Sequence, residues 1–589
     1  MAARDAIMKK PKDARSALRR TLSYLGGFRL ALLGVLLLCF VSNVLALLGP
    51  SLAGSAINEA AAGKGAVNMA KVKLYARRML LCYLASSLIN LAISVAMQFI
   101  SRGIARKLRE DVFGKLMRLP VGYFDRHQAG DIISRVSYDV DVIATCIATD
   151  VTQILTSVVT VVGSLVMMLV ISLPLSVVVL ITIPVSVLYT VTMRKKTQPR
   201  YRRRSECYGA MNGFVEELFS GQKTVQAYAY EETACRRFEA VNTATAEAYR
   251  EAEYYGCTMG PTAGAISYGS MALIGVLGCL SYMAGGVTLG QISSFVLYSR
   301  KFSGPINEIA NVINEIFSAL SAAERVFALL DEPEEVEDRE NAVTLREVTG
   351  SVAMDHVSFG YLKERTILHD LNLEAKPGEL VAIVGPTGAG KTTIINLLMR
   401  FYDVGSGTVR CEGRDIRAYT RRSLRGAYAM VLQDTWVFRG TIFENIAYGK
   451  EDATMEEVVR AAKAARIHSF IMRLPEGYHT VISEDGGNIS KGQKQLLTIA
   501  RAMLYDTSML ILDEATSNVD TGTERQVQKA MRTLMQGKTC FVIAHRLSTV
   551  RNADHILVLD HGDVVETGTH ETLMAAGGFY RKLYDAQFE

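Results

Sequence analysis

Paired cysteines are missing from this sequence. Its nine, Cys39, Cys82, Cys146, Cys207, Cys235, Cys257, Cys279, Cys411 and Cys540, make no CxxC and no zinc-type spacing. That excludes a disulfide framework or a zinc ribbon and leaves isolated reduced thiols. A strong charge of one sign is missing too. The 65 Lys+Arg and 59 Asp+Glu give a net +6 that is dispersed along the chain, so nucleic acid is not an expected partner. Nor is a short, cleavable leader expected. Lys9, Lys10, Lys12, Arg15, Arg19 and Arg20 precede the apolar run 30–48, but that run exceeds a typical signal core and further runs follow it. We read it as a retained first helix.

What is present is uneven. The chain has 589 residues and is 49% hydrophobic; it is too long for one ordinary domain. Its first half holds apolar runs close to the ~20 residues that cross a bilayer. Six spans are expected, near 29–50, 78–100, 149–171, 174–193, 259–284 and 290–320. Spans three and four meet at Ser172-Leu173-Pro174, where proline stops a helix and forces a tight hairpin. The segments between spans two and three, and between four and five, are long, polar and helical in pattern. They carry Arg102, Arg106, Lys107, Arg109, Lys115 and Arg118, then Arg194, Lys195, Lys196, Arg200 and Arg202 to Arg204. Basic residues beside spans favour the cytoplasm, so both long loops and both termini are placed there. The acidic stretch 331–343 lacks apolar periodicity and reads as a linker.

From about residue 350 short strands alternate with helices, the pattern of a largely parallel α/β sheet. ELVAIVG ends a strand and GPTGAGKT, 385–392, turns directly into a helix. Gly385, Gly388 and Gly390, with Thr387, Ala389 and Thr393, suit a backbone cradle for a polyphosphate such as ATP. Lys391 would reach the β/γ-phosphates and the Thr392 hydroxyl would ligate Mg²⁺. Asp513 ends the apolar strand MLIL, where a carboxylate can hold Mg²⁺ through water.

Further along, Ile489-Ser490-Lys491-Gly492-Gln493 opens an amphipathic helix, Glu514 follows Asp513, and His545 stands in VIAHRLS. A P-loop, this turn, an Asp-Glu strand end and a downstream histidine, in that order, resemble the nucleotide-binding domain of an ATP-binding cassette (ABC) protein. The resemblance implies that Glu514 is the base or water-polarising residue and that His545 contacts the γ-phosphate. It implies that Gln433, in VLQDTW, touches Mg²⁺ and senses the membrane domain, and that Tyr361 stacks on adenine. It also implies that Ser490, Gly492 and Gln493 meet the nucleotide held by an opposite subunit, so the chain must dimerise.

The whole chain resembles an exporter half: a helical transmembrane domain over 1–330, a linker over 331–349 and an α/β P-loop ATPase domain over 350–589. Segments 123–143 and 208–226 resemble the family's cytoplasmic coupling elements. Two departures stand out. Lys491 replaces the first glycine of the usual Leu-Ser-Gly-Gly-Gln, and Ser517-Asn518-Val519-Asp520 differs from the commoner Ser-Ala-Leu-Asp. With Glu514 and His545 intact, this resembles one half of a heterodimeric exporter with one degenerate ATP site; a homodimer that tolerates the lysine is the alternative. The resemblance implies export of amphipathic small molecules or peptides across the plasma membrane. A nucleotide-gated channel and a siderophore importer are the alternatives on this scaffold. Arg300 and Lys301 lie well inside the sixth span, where a cation must face a wet cavity or a partner. They either contact substrate, or pair with Glu or Asn across the bundle or snorkel to an interface.

Overall fold

The computed structural model describes residues 13–61, 63, 67–362, 364–433, 435–483, 487–513, 521–543 and 550–588. Its contacts divide into two units. One holds Met1–Leu119 and His127–Pro333, the other Pro120–Arg126 and Glu334–Glu589.

Long helices build the first unit: α1 (Arg29–Ala60), α2 (Met69–Leu116), α3 (Ala129–Ile171, with two π-turns), α4 (Leu173–Ser220), α5 (Glu231–Met283) and α6 (Leu289–Asp331). Each expected span falls on one of them. The first five are long and apolar enough to cross a membrane; α6 is 43 residues long but carries Arg300 and Lys301. At 1.5 Å per residue the 48 residues of α4 run about 70 Å, more than twice a ~30 Å hydrocarbon core, so basic stretches such as 194–204 continue as helix. The hairpin between α3 and α4 is as tight as expected. Ser172 alone is extended (φ −161°, ψ 114°), and Pro174 sits in the first turn of α4, where its missing N–H costs nothing.

This unit is apolar outside, and its joints combine apolar packing with polar bridges. Leu30, Phe40, Leu88, Phe99, Val170 and Leu188 are exposed, as lipid-facing side chains must be. Buried hydroxyls and amides bridge helices. Ser42 and Ser86 share a bond of 2.9 Å, the Thr160 hydroxyl donates to Asn43 Oδ1 at 2.9 Å, and the Ser101 hydroxyl donates to the Ala144 carbonyl at 2.7 Å. Beside the buried apolar cluster of Met168, Leu175, Ile274, Phe295 and Phe302, such polar contacts add to the helix packing in hydrocarbon.

The second unit is built on two sheets. A six-stranded sheet runs β12-β11-β3-β10-β9-β6, and a four-stranded antiparallel sheet runs β2-β1-β4-β5. Their strands are β1 (Val352–Phe359), β2 (Leu368–Ala375), β3 (Leu380–Val384), β4 (Ser406–Cys411), β5 (Arg414–Asp415), β6 (Tyr428–Val431), β7 (Gly440–Thr441), β8 (Val481–Ile482), β9 (Met509–Asp513), β10 (Thr539–Ile543), β11 (His555–Asp560) and β12 (Asp563–Gly568); β7 and β8 form a separate two-stranded antiparallel sheet. The central strands β11, β3, β10, β9 and β6 are parallel. They are covered on both faces: Ala382, Val384, Leu510, Leu512 and Val542 join one core, while Val381, Ile383, Met509, Ile511 and Phe541 join the other. That two-sided burial explains why these strands read as unbroken apolar runs rather than alternating ones.

The acidic segment after α6 is pinned by arginines. Arg425 bonds both carboxylate oxygens of Glu335, at 2.5 and 3.1 Å, and Arg421 donates to Asp338 from its backbone and its guanidinium, both at 3.0 Å. The Arg421 side chain is only 9% exposed. The segment and these arginines line a cavity of about 570 Å³ with Tyr505.

Candidate functional site

The strand register decides which residues meet. Ile543 of β10 lies opposite Ile383 of β3 on one side and Asp513 of β9 on the other. Val431 of β6 pairs with Leu512. The loop 385–390 therefore leaves the same edge of the sheet as Asp513 and as Gln433, two residues beyond β6. In parallel α/β sheets, ligands are held at this carboxyl edge.

The helix α7 (Lys391–Leu398) starts at this edge with Gly390 as its cap, at φ +100°. An L side chain there would be strained in backbone, and its Cβ would come within 2.8 Å of Leu368 Cδ2. Gly388, at φ +87°, has no atom within 4 Å of a notional Cβ, so the loop is open at that position. Gly385 lies against the Leu559 carbonyl. Ala389 and Thr393 are buried, while Thr387 and Thr392 are exposed at the mouth of the loop.

Lys391 is buried, and its ammonium curls back to the carbonyl oxygens of Gly385 at 2.7 Å and Pro386 at 2.9 Å. Burial lowers its pKa, and the Asp513 carboxylate pulls the other way. It has no ion-pair partner among the described residues. A stored cation and an open glycine position at the start of a helix fit a polyphosphate. The Thr392 hydroxyl, Asp513 carboxylate and Gln433 amide are oxygen donors of the hard kind that Mg²⁺ accepts.

Tyr361 is 41% exposed and held from behind. Its hydroxyl donates to Thr393 Oγ1 at 3.3 Å and accepts from Asn396 Nδ2 at 2.9 Å. Its ring meets Tyr402 edge-on at 4.9 Å between centroids. Tyr402 in turn donates to Asp125, and a Cβ on Gly122 would come within 2.9 Å of its ring. The short helix Val121–Arg126 is therefore seated in the second unit through Tyr402. Sequence reasoning missed Tyr402 and Asn396, because neither belongs to a motif and their contacts span tens to hundreds of residues.

The helix α8 (Lys491–Tyr505) begins with a capping box: Ser490 Oγ accepts from the Gln493 amide at 3.3 Å, and Gln493 Oε1 accepts from the Ser490 amide at 2.9 Å. Lys491 occupies the first helical position and is exposed, and Gly492 is buried. The first-turn amides of Lys491 and Gly492 point out along the axis, and the lysine needs no glycine-only backbone to sit there. Glu514 and His545 lie outside the described residues. In the first unit, Lys301 donates to the Ala46 carbonyl at 2.6 Å, whereas Arg300 is exposed on α6.

Comparison with known proteins adds three findings. Residues 32–306 match the family described as ABC transporter transmembrane region, and residues 368–517 match that described as ABC transporter. The Bacillus subtilis protein named uncharacterized ABC transporter ATP-binding protein YfiC is 41% identical over 98% of this chain and 96% of its own length. The Mycobacterium tuberculosis fatty acid ABC transporter ATP-binding/permease protein is 43% identical over 87% of this chain and 79% of its own. The ATP-dependent lipid A-core flippase of Syntrophus aciditrophicus is 34% identical over 87% and 85%. A solved bacterial Atm1-family ABC exporter with ATP bound superposes with a TM-score of 0.75 at 30% identity, covering 95% of this chain and 98% of that one.

Proposed function

Because the chain belongs to the ABC transporter family, we propose that it is half of a dimeric exporter that moves lipid-like amphiphiles out through the membrane at the expense of ATP. The chain is an ATPase coupled to transport, and a multi-pass membrane exporter, by family. The observation that carries the finer reading is a phosphate cradle with a stored cation, Lys391, on the same chain as a lipid-facing helical unit.

Each site residue then has a task. The amides of 385–393 and Lys391 hold the phosphates, and the exposed face of Tyr361 receives the adenine. Glu514 polarises the attacking water, and His545 orients it against the γ-phosphate. Ser490, Gly492 and Gln493 close over the nucleotide of the opposite subunit, where the outward amides of α8 favour negative charge. Bound Mg²⁺ would neutralise phosphate charge, held by Thr392, Gln433 and Asp513. A closed dimer that grips ATP better than an open one tilts the spans, and hydrolysis removes that bias.

Two observations support this cargo. Relatives at 43% and 34% identity are named for fatty acid and lipid A-core. Arg300 is an exposed cation in a span, which suits the head of an anionic amphiphile in a wet cavity. The dimer partner is a different half, because Lys491 places charge and bulk at the helix tip that faces the other subunit's nucleotide. The plasma membrane is the expected location.

The test is flux in proteoliposomes. The wild-type chain with its partner half should concentrate an anionic amphiphile with ATP, and Glu514→Gln should bind ATP yet stop both hydrolysis and flux. Near-normal steady hydrolysis by the variant would remove Glu514 from its role. An ATP-opened ion leak without accumulation would replace the exporter by a channel.

A further inference from the structure

Arg300 and Lys301 are neighbours in sequence but not in environment. One residue of α-helix turns about 100°. Arg300 is exposed, while the Lys301 ammonium donates to the Ala46 carbonyl oxygen of α1 at 2.6 Å and stands 5.7 Å from the centre of the Tyr83 ring of α2.

The acceptor is an unusual one. In an unbroken helix the Ala46 carbonyl would take its hydrogen bond from the amide of residue 50. Residue 50 is Pro50, buried inside α1, and it has no N–H to give. Hydrocarbon provides no water to fill that vacancy. The Lys301 ammonium supplies the donor from a different helix.

This bond ends a row of four. The Gly290 amide donates to Asn58 Oδ1 at 2.8 Å, the Ser294 hydroxyl to the Pro50 carbonyl at 2.8 Å, and the Tyr298 hydroxyl to the Leu47 carbonyl at 2.6 Å. Residues 290, 294, 298 and 301 are spaced by four, four and three, so they share one face of α6. The backbones come close enough for this because glycines stand where they meet. A Cβ on Gly290 would run into the Gly54 carbonyl, and one on Gly54 into the Ser294 hydroxyl. The Leu47 and Pro50 carbonyls have ordinary helical donors in residues 51 and 54. Ala46 alone depends on α6. Lys301 lies twelve residues from the start of α6, about 18 Å along its axis, a little over half of a ~30 Å hydrocarbon core.

We propose that Lys301 is a positioning residue for transport rather than a cargo contact. It supplies the donor that Pro50 withholds and thereby pins α6 to α1 in register at the bilayer midplane. The proposal rests on the exporter reading for its flux, stimulated-ATPase and preference readouts, and its thermal-unfolding readout does not.

The experiment is a double-mutant cycle on the full chain with its partner half: Lys301→Met, Pro50→Ala and the double variant. Lys301→Met should lower amphiphile flux and amphiphile-stimulated ATPase about three- to tenfold, with the KM for ATP and the order of preference among amphiphiles unchanged. In the Pro50→Ala background, where residue 50 regains an N–H for Ala46, the same change should cost less than about twofold. Lys301→Arg, which keeps a donor, should retain most of the rate. If Lys301→Met does not accumulate in the membrane, accumulation of the double variant is the same positive result. Equal losses in both backgrounds, equal failure of single and double variants, or an altered amphiphile preference overturns the proposal. Thermal unfolding of the same four proteins gives the cycle without any cargo, so a wrong exporter reading and a wrong pin are distinguishable.

Discussion

At the scale of single residues, Lys391 shows how burial and function meet. Its side chain is buried and its ammonium rests on two loop carbonyls. Replacing those neutral carbonyl acceptors by phosphate oxygens turns the ammonium's bonds into ion pairs, with hydrogen bonds worth about 1.5–3 kcal/mol each. Lys391→Ala should therefore weaken nucleotide binding by about 10- to 100-fold, read by equilibrium titration with a fluorescent ATP analogue. The pH dependence has a definite sign. A lysine whose pKa is lowered by burial loses its proton at lower pH than an ordinary lysine, and a neutral amine holds phosphate poorly. Affinity should fall as pH rises toward the ordinary lysine range, while Lys391→Arg, charged throughout, should give a flatter profile. Gly390 makes a second case. With φ +100° and Leu368 close behind, Gly390→Ala should cost about 1–2 kcal/mol of stability and displace the start of α7, seen as a lower unfolding temperature together with weaker nucleotide binding.

At the scale of elements, the segment Val121–Arg126 and the acidic linker are held by side-chain bonds that no periodicity announces. Burial, then the bond to Asp125, push the Tyr402 phenol well above its usual pKa, so it stays a donor throughout the physiological range. Tyr402 touches both that segment and Tyr361. Tyr402→Phe keeps the ring stack and removes only the hydroxyl. It should leave basal ATP turnover within about twofold while lowering cargo-stimulated turnover several-fold, for a loss near 1–1.5 kcal/mol; equal losses in basal and stimulated rates would count against a coupling role. In the linker, Asp338 answers a guanidinium that is almost fully buried. Asp338→Ala leaves that charge with Glu335 at 3.6 Å and Asp403 at 3.5 Å. The expected cost is about 1–3 kcal/mol, and a full-chain melt several degrees lower would show it.

At the scale of the whole molecule, one chain carries one P-loop, at 385–392, and one signature turn, at 489–493. Two such chains are needed to enclose nucleotide from both sides. If the partner is a different half, the purified chain alone should hydrolyse ATP about tenfold or more slowly than the reconstituted pair, without stimulation by amphiphiles. Robust stimulated hydrolysis by the chain alone would make it a homodimer, and Lys491 would then be a tolerated exposed side chain at the start of α8. Its unstrained place in the helix accommodates the lysine in either assembly.

Local chemistry settled much of this protein. Apolar runs near bilayer length, a proline between Ser172 and the fourth span, and a strand-glycine-lysine-helix succession each depend on neighbours in sequence, so six long helices and a P-loop at a strand end were legible from residues alone. In the phosphate loop the backbone turns left-handed at Gly388 and Gly390, and the sequence places glycine there. Other features rest on contacts between distant residues, and folding alone brought them together. The register that sets Asp513 level with Ile383, the Tyr361–Tyr402–Asp125 chain, the arginines waiting for Glu335 and Asp338, and the lysine of α6 that completes the helix broken at Pro50 are of this kind. Periodicity reports which face of an element is apolar. It is silent on which distant polar atom will answer a buried charge or an orphaned carbonyl, because that depends on how whole elements come to rest against one another.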